Sequence, residues 1–413
     1  MLADFKPLLK NKNFVALWTS QLLSQLTIHV MNFLLLIVLF NKTQSAIATS
    51  LLWVAYALPA IFIGPFAASF VDMSDRRKLL MYSNLAQAVA IFAFAYTQSF
   101  SIFVLYGVAL LYSALNQFYV PAEFAALPSL VKKTDYPLAN GLFFLTQQGA
   151  MIAGFTVAGI LNRYIGFEYT LFLCSLFLLI AFFSVKRLPT LNPAKKVPEK
   201  FDEAVLQFFS QISEGYRYLR SKPNVYIPFL TLMALQVSTA MVVVNAPNLA
   251  RDILKISIDL AGIFVAVPAG IGALVGSIAV SRALKTGWSK RASIRMALGL
   301  FSVAFLYISV ISFHLPYILN LGLSIVMLVI TGAGFVAVFI PLQTHIQETT
   351  PGGLRGRVFG NFWFLVTIAT IFPVIASGAI TEIIGVRVFY FLLTVLSALG
   401  YLSIEKYKKA FSH

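Results

Sequence analysis

Twelve long apolar stretches, parted by short polar gaps, fill nearly all of this 413-residue chain. They run approximately over 14–40, 45–71, 79–97, 101–126, 137–161, 167–185, 224–247, 259–284, 292–312, 316–345, 356–382 and 385–404. A helix needs about 20 predominantly apolar residues to cross the hydrocarbon core of a bilayer, so the pattern predicts twelve transmembrane helices. The polar gaps alternate in character. All but five of the 31 Lys and Arg residues fall in every second gap or at the chain ends, the five being Lys42, Arg163, Arg251, Lys255 and Arg387. Loops on the cytoplasmic side carry the excess of basic residues, so both termini are expected in the cytoplasm, as in a multi-pass protein of the plasma (inner) membrane.

Composition sharpens this picture. Hydrophobic residues make up 59% of the chain and charged ones only 11%, against about a quarter charged in soluble domains. In a soluble protein a net charge of +16 would suggest nucleic acid. Here the charge is spread over one membrane face with no compact basic domain, which points to topology and anionic lipid and excludes nucleic acid as a partner. The lone Cys174 lies in an apolar span, so no intramolecular disulfide is expected. The first stretch is too long for a cleavable signal and lacks a small-residue cleavage site, so it is expected to remain as the first span.

The stretches fall into two sets of six. Residues 1–185 form a first bundle, 186–222 a cytoplasmic linker and 223–413 a second bundle. The linker opens with Lys186-Arg187 and contains Pro189, Pro193 and Pro198. It then turns amphipathic: Val205, Phe208, Phe209, Ile212, Tyr216 and Leu219 recur at helical spacing opposite Glu203, Gln207, Glu214, Arg217 and Arg220. Such a helix is expected to lie along the inner leaflet or the cytoplasmic floor, as a tether between the halves. The halves also resemble each other. FYVPAEFAALPSLVKKTDYPLANGLFFLT aligns with VFIPLQTHIQETTPGGLRGRVFGNFWFLV, pairing Pro121 with Pro341, and farther on Gly166 pairs with Gly385. A repeat of this length implies two structurally similar bundles, with the substrate site between them.

GPFAASFVDMSDRRKLL resembles the signature loop G-x-x-x-D-R-x-G-R-[RK] of the major facilitator superfamily. Asp72, Arg76 and Arg77 take its acidic and basic positions; Ala68, Met73 and Asp75 depart from its Gly, Arg and Gly. NQFYVPAEFAALPSLV and QETTPGGLRGRVFGN resemble a narrower branch of macrolide-efflux and enterobactin-exporter proteins. Where exporters of that branch often carry Gly-Asp in the first span, this chain has Thr27-Ile28. The resemblance implies an all-α membrane fold of twelve transmembrane helices in two pseudo-symmetric six-helix bundles. Spans 1, 4, 7 and 10 would line a central cavity.

Polar side chains inside lipid are costly and face a cavity or a partner. Gln21, Gln25, His29 and Asn32 share one face of the first span, and Tyr112, Asn116, Tyr119 and Glu123 one face of the fourth. The seventh adds Gln236 and Thr239; the eleventh adds Trp363, Thr367 and Thr370. These are candidate contacts for an amphipathic substrate, with helix-to-helix hydrogen bonding as the competing reading. Glu123 is either a titrating group in proton coupling or a carboxylate paired with Arg76, Arg77 or Arg355 as a lock. By resemblance, Asp72, Arg76 and Arg77 form a gate that bridges to the second half. Gly149, Gly154, Gly159, Gly270, Gly272 and Gly276 permit close helix approach, either between halves or within them.

The chain has no G-x-x-x-x-G-K-[ST] loop, no metal-spaced His, Cys, Asp and Glu cluster and no Ser-His-Asp set, so neither enzyme chemistry nor a bound cofactor is expected. The expected function is secondary active export of amphipathic small molecules such as drugs, macrolides or siderophores, driven by an ion gradient of protons, by a monomer working among membrane lipids. The alternatives are a lipid or lysophospholipid flippase of the same fold and a non-transporting sensor or scaffold.

Overall fold

The computed structural model describes residues 6–97, 101–132, 135–191 and 201–406. Among them the only regular structure is helical. A helix satisfies its own backbone polar groups, so apolar runs of this length adopt it in lipid. In chain order the principal helices are α1 (Lys12–Thr43), α2 (Ala46–Phe62), α3 (Gly64–Met73), α4 (Arg76–Thr97), α5 (Ile102–Leu130), α6 (Tyr136–Tyr164) and α7 (Gly166–Lys186). They continue as α8 (Phe201–Ser221), α9 (Pro223–Val244), α10 (Val267–Lys285), α11 (Lys290–Leu306), α12 (Tyr317–Thr349), α13 (Gly352–Ile383) and α14 (Val386–Lys406).

Eleven helical stretches are long and apolar enough to cross a membrane, and Ala46–Phe62 is a shorter apolar helix. The expected second span, 45–71, is interrupted: α2 ends at Phe62 and α3 restarts at Gly64, with Pro65 in its first turn. Proline lacks an N–H to continue the ladder and suits a helix start. In the second half, π-helical segments at Gly262–Ala266 and Tyr307–Ile311 extend the spans of α10 and α11.

The chain packs as two compact units, one of residues up to Leu39 with Val54–Phe209, the other of Phe40–Trp53 with the rest from Ser210. In the first, α4 packs on α5 and α7. Leu17, Leu80, Tyr119, Phe143 and Val185 meet in its apolar core. In the second, α12 packs on α10 and α11, and α11 on α14. The α10–α12 seam is very tight, because a Cβ on Gly272 or Gly276 would strike the backbone of Val329 or Ala333. Those glycines serve packing inside one unit. Gly149, by contrast, has open space around it, and Gly154 backs onto His29. The internal repeat has a backbone counterpart. Gly166 and Gly385 both turn at positive φ, 85° and 111°, Gly166 as the first residue of α7 and Gly385 immediately before α14, a conformation open to glycine at no Cβ cost.

Candidate functional site

The polar stripe of α5 enters a hydrogen-bonded line inside the first unit, joined there by Ser20 of α1 and Asn84 of α4. Asn84 Nδ2 on α4 donates to Ser20 Oγ at 3.0 Å. Ser20 Oγ lies 2.9 Å from Tyr119 Oη, and Tyr119 Oη donates to Glu123 Oε1 at 3.1 Å. Because the phenol proton goes to the carboxylate, Ser20 must donate to Tyr119, so every donor in the line points towards Glu123. Glu123 is fully buried, and among the described residues its Oε2 has no hydrogen-bond partner. Around this line Leu17, Val71, Leu80, Phe143 and Val185 supply no compensating charge. Neither Ser20 nor Asn84 stood out in the sequence, since a single Ser or Asn in a span carries no periodic signal.

Gln21 is buried, its Nε2 donating to Phe143 O on α6 at 3.2 Å. Tyr112 and Tyr119 are fully buried as well. These three side chains therefore work between helices of one bundle. Gln25, His29, Asn32 and Asn116 are half-buried. Tyr56 of α2, a residue outside both stripes, joins them: its hydroxyl hydrogen-bonds Asn32 and Asn116. His29 meets Phe155 edge-on at 5.7 Å between ring centroids.

The signature loop holds the start of the linker. Asp75 Oδ1 accepts from Arg77 N at 2.9 Å and from Leu191 N at 3.2 Å, while Arg76 N donates to Leu191 O at 3.2 Å. Arg77 Nη2 donates to Lys186 O at 2.6 Å, capping the C-terminal end of α7, where a cation is favoured. Asp75 thus occupies a family Gly position and grips the linker with its carboxylate. The side chains of Asp72 and Arg355 lie outside the described residues, so the bridge expected of them does too. The hydrogen bond described for Glu123 comes from Tyr119.

In the second unit Gln236 is half-buried, and Thr239 and Thr370 return their hydroxyls to the helical carbonyls of Leu235 and Val366. Trp363 is 55% exposed, its ring against Phe362 at 5.2 Å. The turn between α1 and α2 is held in this unit by two side chains. Glu382 Oε2 accepts from Ser45 Oγ at 2.5 Å and Ile47 N at 2.9 Å, capping the start of α2. Arg251 donates to Gln44 Oε1 at 2.7 Å, chelates Asp252 at 2.6 and 3.0 Å, and lies 4.8 Å over the Phe40 ring. The hydrogen bond it donates to Asp252 raises the guanidinium above its usual pKa. Gln44 itself adopts φ of 53°. In the sequence, Arg251 was only an exception to the charge alternation.

No group of three or more His, Cys, Asp or Glu is placed to hold a metal ion among the described residues. Comparison with known proteins completes the picture. Residues 17–373 match the family model described as Major Facilitator Superfamily. An uncharacterized MFS-type transporter of Bacillus subtilis (strain 168), YfiS, is 27% identical over 397 residues, covering 92% of this chain and 90% of its own. Among solved structures, the nucleoside transporter NupG superimposes with a TM-score of 0.70 at 14% identity over 95% of this chain and 99% of its own. A bacterial homologue of the iron transporter ferroportin, in an inward-facing state, gives 0.72 at 13% identity over 98% and 100%. At such identities these two show the fold alone.

Proposed function

The chain belongs to the major facilitator superfamily and is a multi-pass membrane transporter, not an enzyme, and from that premise we propose that it exports amphipathic small molecules in exchange for protons. The two halves would alternate access to a central site. The chain would sit in the plasma (inner) membrane with both termini in the cytoplasm. The observation that carries the coupling is Glu123: among the described residues, a buried carboxyl with one neutral donor, one unpartnered oxygen and no paired cation. A buried carboxylate in such surroundings costs several kcal/mol, so the group is a natural receiver for a proton. The absence of an acid at Thr27-Ile28 leaves this role vacant in α1, and Glu123 of α5 would fill it.

Drugs, macrolides and siderophores of mixed polarity suit the half-buried residues. Gln25, Asn32 and Asn116 offer amides, His29 and Tyr56 offer rings with one polar edge, and Gln236 and Trp363 offer the same chemistry from the second half. Gln21, Tyr112 and Tyr119 would hold these contacts in place from behind. Asp72, Arg76, Arg77 and Arg355 would gate the basic side.

The test is transport by purified protein in liposomes. With an imposed proton gradient, a fluorescent amphipathic cation or a macrolide is expected to move against its own gradient, and an uncoupler is expected to stop it. Flux that only equilibrates and ignores the uncoupler would overturn the reading. Translocation of neutral lipid reporters by the same vesicles would favour a flippase instead.

A further inference from the structure

The exposed face of α8 carries a feature that transport does not use. With Ser213 at the origin and about 100° per residue, Leu206, Ser210, Ser213, Arg217 and Arg220 fall within an arc of about 80°. Tyr216 borders that arc. Gly215 and Leu219 lie on the opposite side and are buried, and Tyr218 Oη donates to Thr349 O at 3.2 Å, fastening the helix to the second unit. The outward arc is exposed, including Leu206 at 69% and Tyr216 at 44%. Ser213, Tyr216, Arg217, Arg220 and Ser221 line an open groove of about 390 Å³.

We propose that this groove binds the phosphate headgroup of an anionic phospholipid. Two guanidiniums one turn apart offer the forked donors that match phosphate oxygens. Ser213 adds a hydroxyl, while Ser221 Oγ is turned back to Tyr218 O at 2.8 Å. A soluble anion would leave the Tyr216 ring exposed beside it. A lipid covers it, since an aromatic ring flanking cations fits the headgroup region. Position supports the same occupant. The membrane-spanning α9 begins at Pro223, two residues beyond the end of α8, so the groove sits where the chain enters the bilayer.

The experiment uses full-length, delipidated protein and native mass spectrometry with phosphatidylglycerol, phosphatidylcholine and inorganic phosphate as separate probes. Wild type is expected to retain phosphatidylglycerol preferentially. Each basic residue near an anionic surface contributes on the order of fivefold, so Arg217→Ala with Arg220→Ala should weaken retention by about 30-fold. The paired Arg→Lys variant, which keeps the charge but loses the forked donors, should fall between wild type and the alanine pair. Should the alanine pair fail to fold, Arg217→Gln alone is expected to lose about fivefold. Undiminished lipid retention in the alanine pair, or in Arg217→Gln where that pair does not fold, equal retention of the two lipids, or displacement of the lipid by inorganic phosphate at equal concentration would each overturn the assignment.

Discussion

Replacing Gly272 by Ala tests how the second unit is packed. A Cβ added there would lie 2.7 Å from the carbonyl carbon of Val329 and 2.9 Å from its Cα. Carbon atoms in contact rest at about 3.5–4.0 Å, so α10 and α12 must separate by about 1 Å to admit the methyl. The opposing atoms are backbone, and no rotamer change relieves them. The seam is also reciprocal, because a Cβ on Gly332 would meet the carbonyl carbon of Ala269 at 2.7 Å. Overpacking costs about 1–3 kcal/mol and occasionally more; a backbone-to-backbone clash belongs at the top of that range, about 3 kcal/mol. Gly322→Ala, on α12 with open space around it, is the reference. It should be neutral or gain up to about 1 kcal/mol from helix propensity. Unfolding in detergent, followed by intrinsic fluorescence, should separate the two variants by about 3–4 kcal/mol. Equal stability of Gly272→Ala and Gly322→Ala would refute the close-packed seam.

Other outcomes follow from the same geometry. Glu123→Gln should abolish gradient-driven accumulation in liposomes while preserving substrate exchange; wild-type accumulation in that variant would remove Glu123 from coupling. Tyr119→Phe removes the donor to Glu123 and leaves Ser20 without its acceptor, so a loss of about 1–2 kcal/mol is expected in the same unfolding assay. Asp75→Gly restores the family residue but frees Leu191. With two hydrogen bonds to a partly exposed carboxylate lost, at about 1–2 kcal/mol, trypsin should cut after Arg187 roughly tenfold faster, and an unchanged rate would show that the linker is held elsewhere. Glu382→Ala removes the cap on α2 and should cost about 1 kcal/mol, with amide exchange rising first at Ile47.

The fold was legible because lipid imposes one rule throughout. Backbone polar groups must be satisfied within each segment, so length and hydropathy alone specify spanning helices. The repeat was legible for a similar reason: Gly166 and Gly385 mark turns that demand positive φ, and such positions leave a residue-type signature. The interruption at Ile63 is marked in the sequence by Gly64-Pro65, but apolar composition continues across it, so hydropathy alone reads one span. At the candidate site, the stripes on α1 and α5 were visible as periodicity, but their division into buried braces (Gln21, Tyr112, Tyr119) and half-exposed groups (Gln25, His29, Asn32, Asn116) was not. That division depends on which helices press against each face.

Local composition and spacing were enough to specify apolar helices of spanning length, a helix in the linker and the superfamily. That Glu123 ends a line of donors from Asn84, that Asp75 grips Leu191, and that Glu382 and Arg251 hold the turn at Gln44 and Ser45 emerges from packing alone. These contacts join residues tens to hundreds of positions apart. Hydrogen bonds act over about 3 Å in space, and no pattern along the chain records that distance.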